Sequence, residues 1–259
     1  MHTAPRHALC LRTLFLWTAT CALASAAAQA QEGPHWSYDG DTGPTHWASE
    51  DPSYAICAVG KHQSPIDIRN PTPKALPPLD FDYRPIPLTV TDTGHTMQVT
   101  APPGSGGFWV GGDRYELLQF HFHRPSEESI SGKRFQMEVH LVHKNAKGEL
   151  AVVSVLIRDG NSNPLLHQVF TNLPPSGQKE ASVAGVTLDP TQLLPEARGY
   201  YTFEGSLTTP PCSEHVRWFV LKRVMQASTG ELVLFGVRYP HNARPTQPRD
   251  GRPLEETQD

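Results

Sequence analysis

Proline and glycine interrupt this chain so often that long regular helices have little room to form. There are 25 prolines and 20 glycines among 259 residues, and they punctuate many short apolar segments. "LTVTDTGHTMQVT" (88–100) alternates around a Thr-Gly turn and reads as strand, turn, strand. "YELLQFHFH" (115–123), "RFQMEVHLVHK" (134–144), "LAVVSVLIR" (150–158) and "VRWFVLKRV" (216–224) read as strands, by alternation or by β-branched and aromatic content. "SNPLLHQVFTNL" (162–173) is the strongest helix candidate, with Asn163 or Ser162 as its cap and Pro164 in its first turn. No repeat, heptad or linker stands out, so the reading is one mostly β domain with short helices. The tail "RPTQPRDGRPLEETQD" (244–259) is expected to be loosely held over its last ten or so residues.

The first thirty residues read as an export signal rather than as part of the fold. Arg6 and Arg12 come with no acidic residue, the apolar run "LFLWTATCALASAAA" follows, and "AQA" at 28–30 offers a small-x-small cleavage pattern. No later run approaches about 18 uninterrupted apolar residues, so no membrane anchor is expected after cleavage. Losing Arg6 and Arg12 leaves 20 of the 22 basic residues against 26 acidic ones, a formal charge of −6. That balance argues against a nucleic-acid partner, which asks for a basic face. Cys10 and Cys21 leave with the signal. The remaining pair, Cys57 and Cys212, is expected to form a disulfide in an exported chain. Closing a loop of that length stabilises a fold by about 5 kcal/mol in the chain-entropy treatment.

The chemistry concentrates in "QFHFHRPS" (119–126) and "MEVHLVHK" (137–144). On a strand, Gln119, His121 and His123 share one face while Phe120 and Phe122 take the other. Glu138, His140 and Val142 likewise share a face of the second segment. Arg124-Pro125 and "SGKR" between them are enough to reverse the chain, so an antiparallel pairing would set His140 beside His121 and His123. Three neutral imidazoles from adjacent strands suit zinc with its fourth position open. Metal-bound imidazoles need their second nitrogen held, and Gln119 and Glu138 are candidate holders. His143, by parity, faces away from His140 and reads as a hydrogen-bonded core residue.

"HWSYDG" (35–40), "QSPIDI" (63–68), "TGH" (93–95), "QFHFH", "MEVHLVH" and "GSLTTPPCSE" (205–214) occur in the order and at the separations of an α-class carbonic anhydrase, which the chain resembles from about Pro34 to "NARPTQP" (242–248). The resemblance implies a single catalytic domain over 31–259, built around a large, twisted, mainly antiparallel central β-sheet with a few short peripheral helices. It implies a zinc lyase interconverting carbon dioxide and bicarbonate; a zinc esterase or a non-catalytic binding relative are the competing readings. His121, His123 and His140 resemble the zinc ligands. Thr208 resembles the threonine that orients the attacking hydroxide, and Glu127 the carboxylate that takes the threonine's proton. Val142, Val152, Leu207 and Trp218 match walls of an apolar substrate pocket, with Thr209 lining the substrate side. His95 occupies the position of the family's proton shuttle. A shuttle is needed because a group of pKa near 7 releases protons directly to water at only about 10³ per second, if recombination runs near 10¹⁰ M⁻¹s⁻¹. Glu128, Phe203, Thr93 and Gln98 depart from residues frequent in the family, which predicts an altered water chain to His95. Bacterial relatives are often dimers, so a homodimer is one expectation, and the signal style points to a Gram-negative periplasm.

Overall fold

The alternating segments pair into one dominant sheet. The computed structural model describes residues 1–2, 35–175 and 178–258; the expected signal at 1–30 lies outside them apart from its first two residues. The strands are β1 (Asp67–Ile68), β2 (Thr72–Lys74), β3 (Asp80–Phe81), β4 (Ile86–Asp92), β5 (Met97–Thr100), β6 (Gly107–Val110) and β7 (Asp113–His123). There follow β8 (Ser129–Ile130), β9 (Met137–Asn145), β10 (Leu150–Asp159), β11 (Glu180–Leu188), β12 (Tyr200–Ser206), β13 (Glu214–Ala227) and β14 (Glu255–Thr257). Among the described residues four short α-helices accompany them: α1 (Trp47–Glu50), α2 (Ile56–Val59), α3 (Pro164–Thr171) and α4 (Thr229–Arg238).

Twelve of the described strands form one sheet in the order β11-β4-β5-β7-β9-β10-β13-β12-β14-β2, with β6 joining β7 and β3 joining β6. Its pairings are antiparallel except for β10 with β13 and β14 with β2. β1 and β8 make a separate parallel pair. The central strands are covered on both faces: β9 is buried continuously from Met137 to His143, and β10 from Ala151 to Ile157. That double burial explains why "LAVVSVLIR" is apolar throughout rather than alternating. One face carries Phe120, Phe122, Leu141 and Val153 against Leu165, Phe170 and Phe235 of α3 and α4. The other carries Val142, Val152, Phe203 and Trp218 with Ile66 and Ile68.

Asn163 caps α3 as expected, its side chain accepting from the N–H groups of Leu165 and Leu166 with Pro164 at the start. α4 went unread in the sequence although "STGE" carries its signature. Ser228 and Glu231 form a reciprocal capping box there, the arrangement a Ser-x-x-Glu spacing makes. The loosely held tail is corrected: β14 pairs with both β12 and β2, and Arg252 and Leu254 are buried. Arg252 donates to the carbonyls of Glu204, Gln63 and Pro248, so buried hydrogen bonding outweighs the Pro and Gly content of this segment. Among the described residues no helix is long and apolar enough to cross a membrane.

Candidate metal centre

Register does the first part of the assembly. β5, β7, β9 and β10 lie side by side, and their pairing sets His121 opposite His140 and His140 opposite Ser154. Two residues along the same strands, Gln119 faces Val142, Val142 faces Val152, and Val152 faces Trp218. The pleat turns Phe120 and Phe122 into the opposite core, where both are fully buried. His121, His123 and His140 each offer a ring nitrogen within 4.8 Å of the others.

Hydrogen bonding decides which nitrogen each ring offers. His121 Nδ1 lies 2.8 Å from Gln119 Oε1, and His123 Nδ1 lies 2.7 Å from the carbonyl oxygen of Asn242. Both partners only accept, so both Nδ1 atoms carry the proton and both Nε2 atoms keep a lone pair. His140 is turned the other way, with Nε2 3.5 Å from Glu138 Oε1 and 3.5 Å from Glu128 Oε2. Its Nδ1 is left to face the other two rings. Burial, reinforced by the neighbouring imidazoles, holds the pKa of His121 well below its ordinary value and lowers that of His123 as well. Both therefore stay neutral, as a metal ligand requires. For His140, burial is outweighed by the Glu138 and Glu128 carboxylates, which raise its pKa to about 10, so a metal bound there displaces a proton from this ring.

These residues fit a divalent cation. His123 Nε2 is buried without a hydrogen-bond partner, and so is Glu127 Oε2, 3.4 Å away. A lone pair and a carboxylate oxygen facing each other in a dry interior need a positive charge between or beside them. Three nitrogen donors suit zinc.

Behind the rings, Glu138 does more than back His140. Its Oε2 accepts from the backbone N–H of Glu127 (2.7 Å) and of Glu128 (3.1 Å), and Oε1 accepts from Ser154. Burial would raise the Glu138 pKa, but His140, with the Glu128 and Ser154 side chains, holds it at about 2. Glu128 is fully buried, and burial beside Glu138 pushes its carboxyl well above the usual range. Glu127 is fully buried too; Oε1 accepts from Arg244 N at 2.7 Å. Its Oε2 accepts no hydrogen bond, from Thr208 or elsewhere, and faces His123 and His140 instead.

Thr208 is buried on a loop braced from several sides. Leu207 N donates to Ser213 O, and Cys212 N to Thr209 O. Gln63 Nε2 reaches Cys212 O, and Ser64 and Ser206 exchange hydrogen bonds. The Cys57–Cys212 disulfide closes the loop across 155 residues of sequence. Of the expected pocket walls, Val142, Val152 and Trp218 are buried in one apolar cluster with Leu207 packed against it. A cavity of about 210 Å³ is lined by His121, His123, Gln119, Thr209, His95, Trp36 and their neighbours. His95 sits on its wall, its ring stacked on Trp36 at 3.6 Å. Burial and His35 lower its pKa, against the pull of Asp92.

Sequence reasoning did not single out Asn242, which fixes His123, or Ser154, which fixes Glu138. Neither signal is local: each partner lies on another element, so only the folded register reveals them. His143 is the buried core residue that its parity implied, with Nε2 2.7 Å from Tyr83 Oη.

The family model described as "Eukaryotic-type carbonic anhydrase" matches residues 42–258. A carbonic anhydrase of Klebsiella pneumoniae is 41% identical over 220 residues, 84% of this chain and 89% of that relative. One from Pectobacterium carotovorum is 38% identical over 227 residues, covering 87% and 92%. Among solved structures, the α-carbonic anhydrase of Thermovibrio ammonificans, in complex with the inhibitor sulfanilamide, aligns with a TM-score of 0.82 and 40% identity, over 88% of this chain and all of that one.

Proposed function

This chain belongs to the eukaryotic-type (α-class) carbonic anhydrase family and is an enzyme of reversible carbon dioxide hydration; we propose that His121, His123 and His140 hold its zinc ion and that Thr208, Glu127 and His95 carry the rest of the chemistry. The observation behind this is the convergence of three rings from β7 and β9: each brings a nitrogen within 4.8 Å of the others, and His121 and His123 have their Nδ1 held by an acceptor, which leaves Nε2 free to donate its lone pair. Zinc held there supplies a charge that brings a water's pKa to about 7, the value established for carbonic anhydrases.

The chain's own groups do the orienting. A hydroxyl has one proton to give, so a Thr208 that turns to give it to Glu127 Oε2, which accepts from no group in this structure, must accept from the nucleophilic oxygen. That keeps the reacting lone pair aimed at the carbon of the substrate. The unpartnered Oε2 of Glu127 supports this assignment, since a buried carboxylate oxygen calls for a donor. The backbone N–H of Thr208 holds negative charge developing on the substrate oxygen. Carbon dioxide has no net dipole, and Val142, Val152, Leu207 and Trp218 offer it an apolar wall, with Thr209 on the polar side. His95 accepts the released proton through water and passes it to buffer, because it lines the cavity and an imidazole can both take up and release a proton.

We further read residues 31–259 as one catalytic domain, exported to the periplasm after loss of 1–30, with carbon dioxide and bicarbonate as its small-molecule partners. The ligand set is tested by metal analysis of purified His121→Ala, His123→Ala and His140→Ala variants. Each is expected to lose zinc and hydration together; a variant that keeps both removes that histidine from the set.

A further inference from the structure

The turn that carries His95 is held from outside its own hairpin, by the segment that leaves α4. Asp92, the last residue of β4, accepts from Gly94 N at 2.8 Å and Tyr239 Oη at 2.6 Å through Oδ1, and from Arg238 through Oδ2. Three residues after Tyr239, the buried side chain of Asn242 spans the space between this turn and β7. Its Nδ2 donates to the carbonyl of His95 at 3.0 Å and to the carbonyl of Phe122 at 2.9 Å, while Oδ1 accepts from Arg124 N at 2.7 Å. The backbone of the same residue accepts from His123 Nδ1 at 2.7 Å and donates to Arg124 O at 2.9 Å.

One residue therefore touches both functional groups by separate routes. Its main chain fixes the tautomer of a zinc-binding histidine, and its amide ties the His95 backbone to the strand on which that histidine sits. Both amide hydrogens and the amide oxygen are used, so no other side chain of similar size reproduces the set. Thr93 cannot substitute for this anchor. Its hydroxyl is spent inside the turn, accepting from His95 N and Thr96 N and donating to Thr96 O.

We propose that the Asn242 side chain, with Asp92, is a positioning element for proton transfer: it sets the distance between the His95 imidazole and the metal centre by clamping the 92–96 turn to the end of β7. This rests on the reading of His95 as the shuttle. Transfer through a short water chain depends steeply on the placement of its terminal group. A shuttle freed from its anchor loses rate in the proton-transfer step, while carbon dioxide hydration at the metal keeps its geometry.

The test uses the zinc-loaded full chain and the variants Asn242→Ala, Asn242→Asp and Tyr239→Phe. Asn242→Asp keeps the acceptor for Arg124 and loses both donors; Tyr239→Phe removes one bond to Asp92 with little demand on the fold. Hydrogen exchange at the 94–96 amides reads the clamp itself, and kcat against kcat/KM reads its consequence. The expected result is faster exchange in the turn and, for the Asn242 variants in bulky buffer, a kcat lowered about tenfold, by more than kcat/KM falls, with the kcat loss relieved by added imidazole. Tyr239→Phe shifts both readouts in the same direction by less. Wild-type exchange and kcat in both Asn242 variants would overturn the proposal. So would a parallel fall of kcat and kcat/KM without imidazole rescue, which marks a role in holding His123 only. His95→Ala separates the two levels: wild-type kcat there refutes the shuttle and the proton-transfer role assigned to Asn242, even where turn exchange quickens.

Discussion

At the scale of single residues, each catalytic assignment separates from its neighbours by what it removes. Thr208→Ala takes away orientation but no charge and no ligand. It is expected to keep zinc and lose about a hundredfold in kcat, as removal of one preorganised hydrogen-bonding group does. Zinc content and hydration rate measured on one preparation check this, and near-wild-type turnover removes Thr208 from the mechanism. His143 tests a different property, since it is buried outside the three-histidine cluster. Burial lowers its pKa to about 3, whereas an unfolded histidine titrates near 6.5. The unfolded state therefore binds the extra proton over this window and the folded state does not. Its contribution to stability is complete above about pH 6.5 and declines as pH falls toward about 3, by about 1.4 kcal/mol per pH unit. Urea denaturation of the wild type and His143→Gln between pH 5 and 8 reads the difference. A wild-type slope no steeper than the variant's contradicts a neutral buried His143.

Between residues and fold, the elements show what a sequence displays locally and what it hides. The alternation of "QFHFH" and "MEVHLVH" predicts both strands and the face each histidine takes, because side-chain direction on a strand follows from parity alone. Parity also places Gln119 beside His121, and the structure puts its Oε1 on that ring. Glu138 was read as a holder of one imidazole, yet it also anchors the backbone of Glu127 and Glu128, which no periodicity announces. Asn242 is invisible in the same way, because its partners lie about 120 and 147 residues earlier. α4 was legible in principle, through Ser228 and Glu231. Glu231 matters beyond its own helix: it is buried and accepts from Ser162 and Asn163 at the start of α3 as well as from Ser228 N. One carboxylate thus faces the N-termini of two helices, where negative charge is favoured. Ser228→Ala is expected to cost about 1 kcal/mol, the usual value of a cap. Glu231→Ala strands several donors at once and is expected to cost about 2–3 kcal/mol. Equal denaturation midpoints for the two variants would show that Glu231 caps α4 alone.

Across the whole molecule, the motifs that flank the histidines turn out to brace the loop that carries Thr208 and the surroundings of His95. "QSPIDI" supplies Gln63 and Ser64, which hold Cys212 and Ser206 on either side of Thr208. "HWSYDG" supplies Trp36, on which His95 stacks. Arg244 joins these parts, donating to Gln63, Ser64 and Cys57 while its main chain reaches Glu127. Reducing the Cys57–Cys212 bridge and alkylating both thiols is expected to lower stability by up to about 5 kcal/mol and the melting temperature with it. Unchanged melting rejects a stabilising role. We propose that three imidazoles on two strands hold the zinc on which hydration depends, and stopped-flow hydration of carbon dioxide on the purified chain as isolated, after chelation, and after zinc is returned, tests this. The rate is expected to follow zinc content, vanishing with the chelator and recovering with the metal. Hydration that persists at full rate without zinc, or a fully zinc-loaded chain that does not hydrate carbon dioxide, would contradict it.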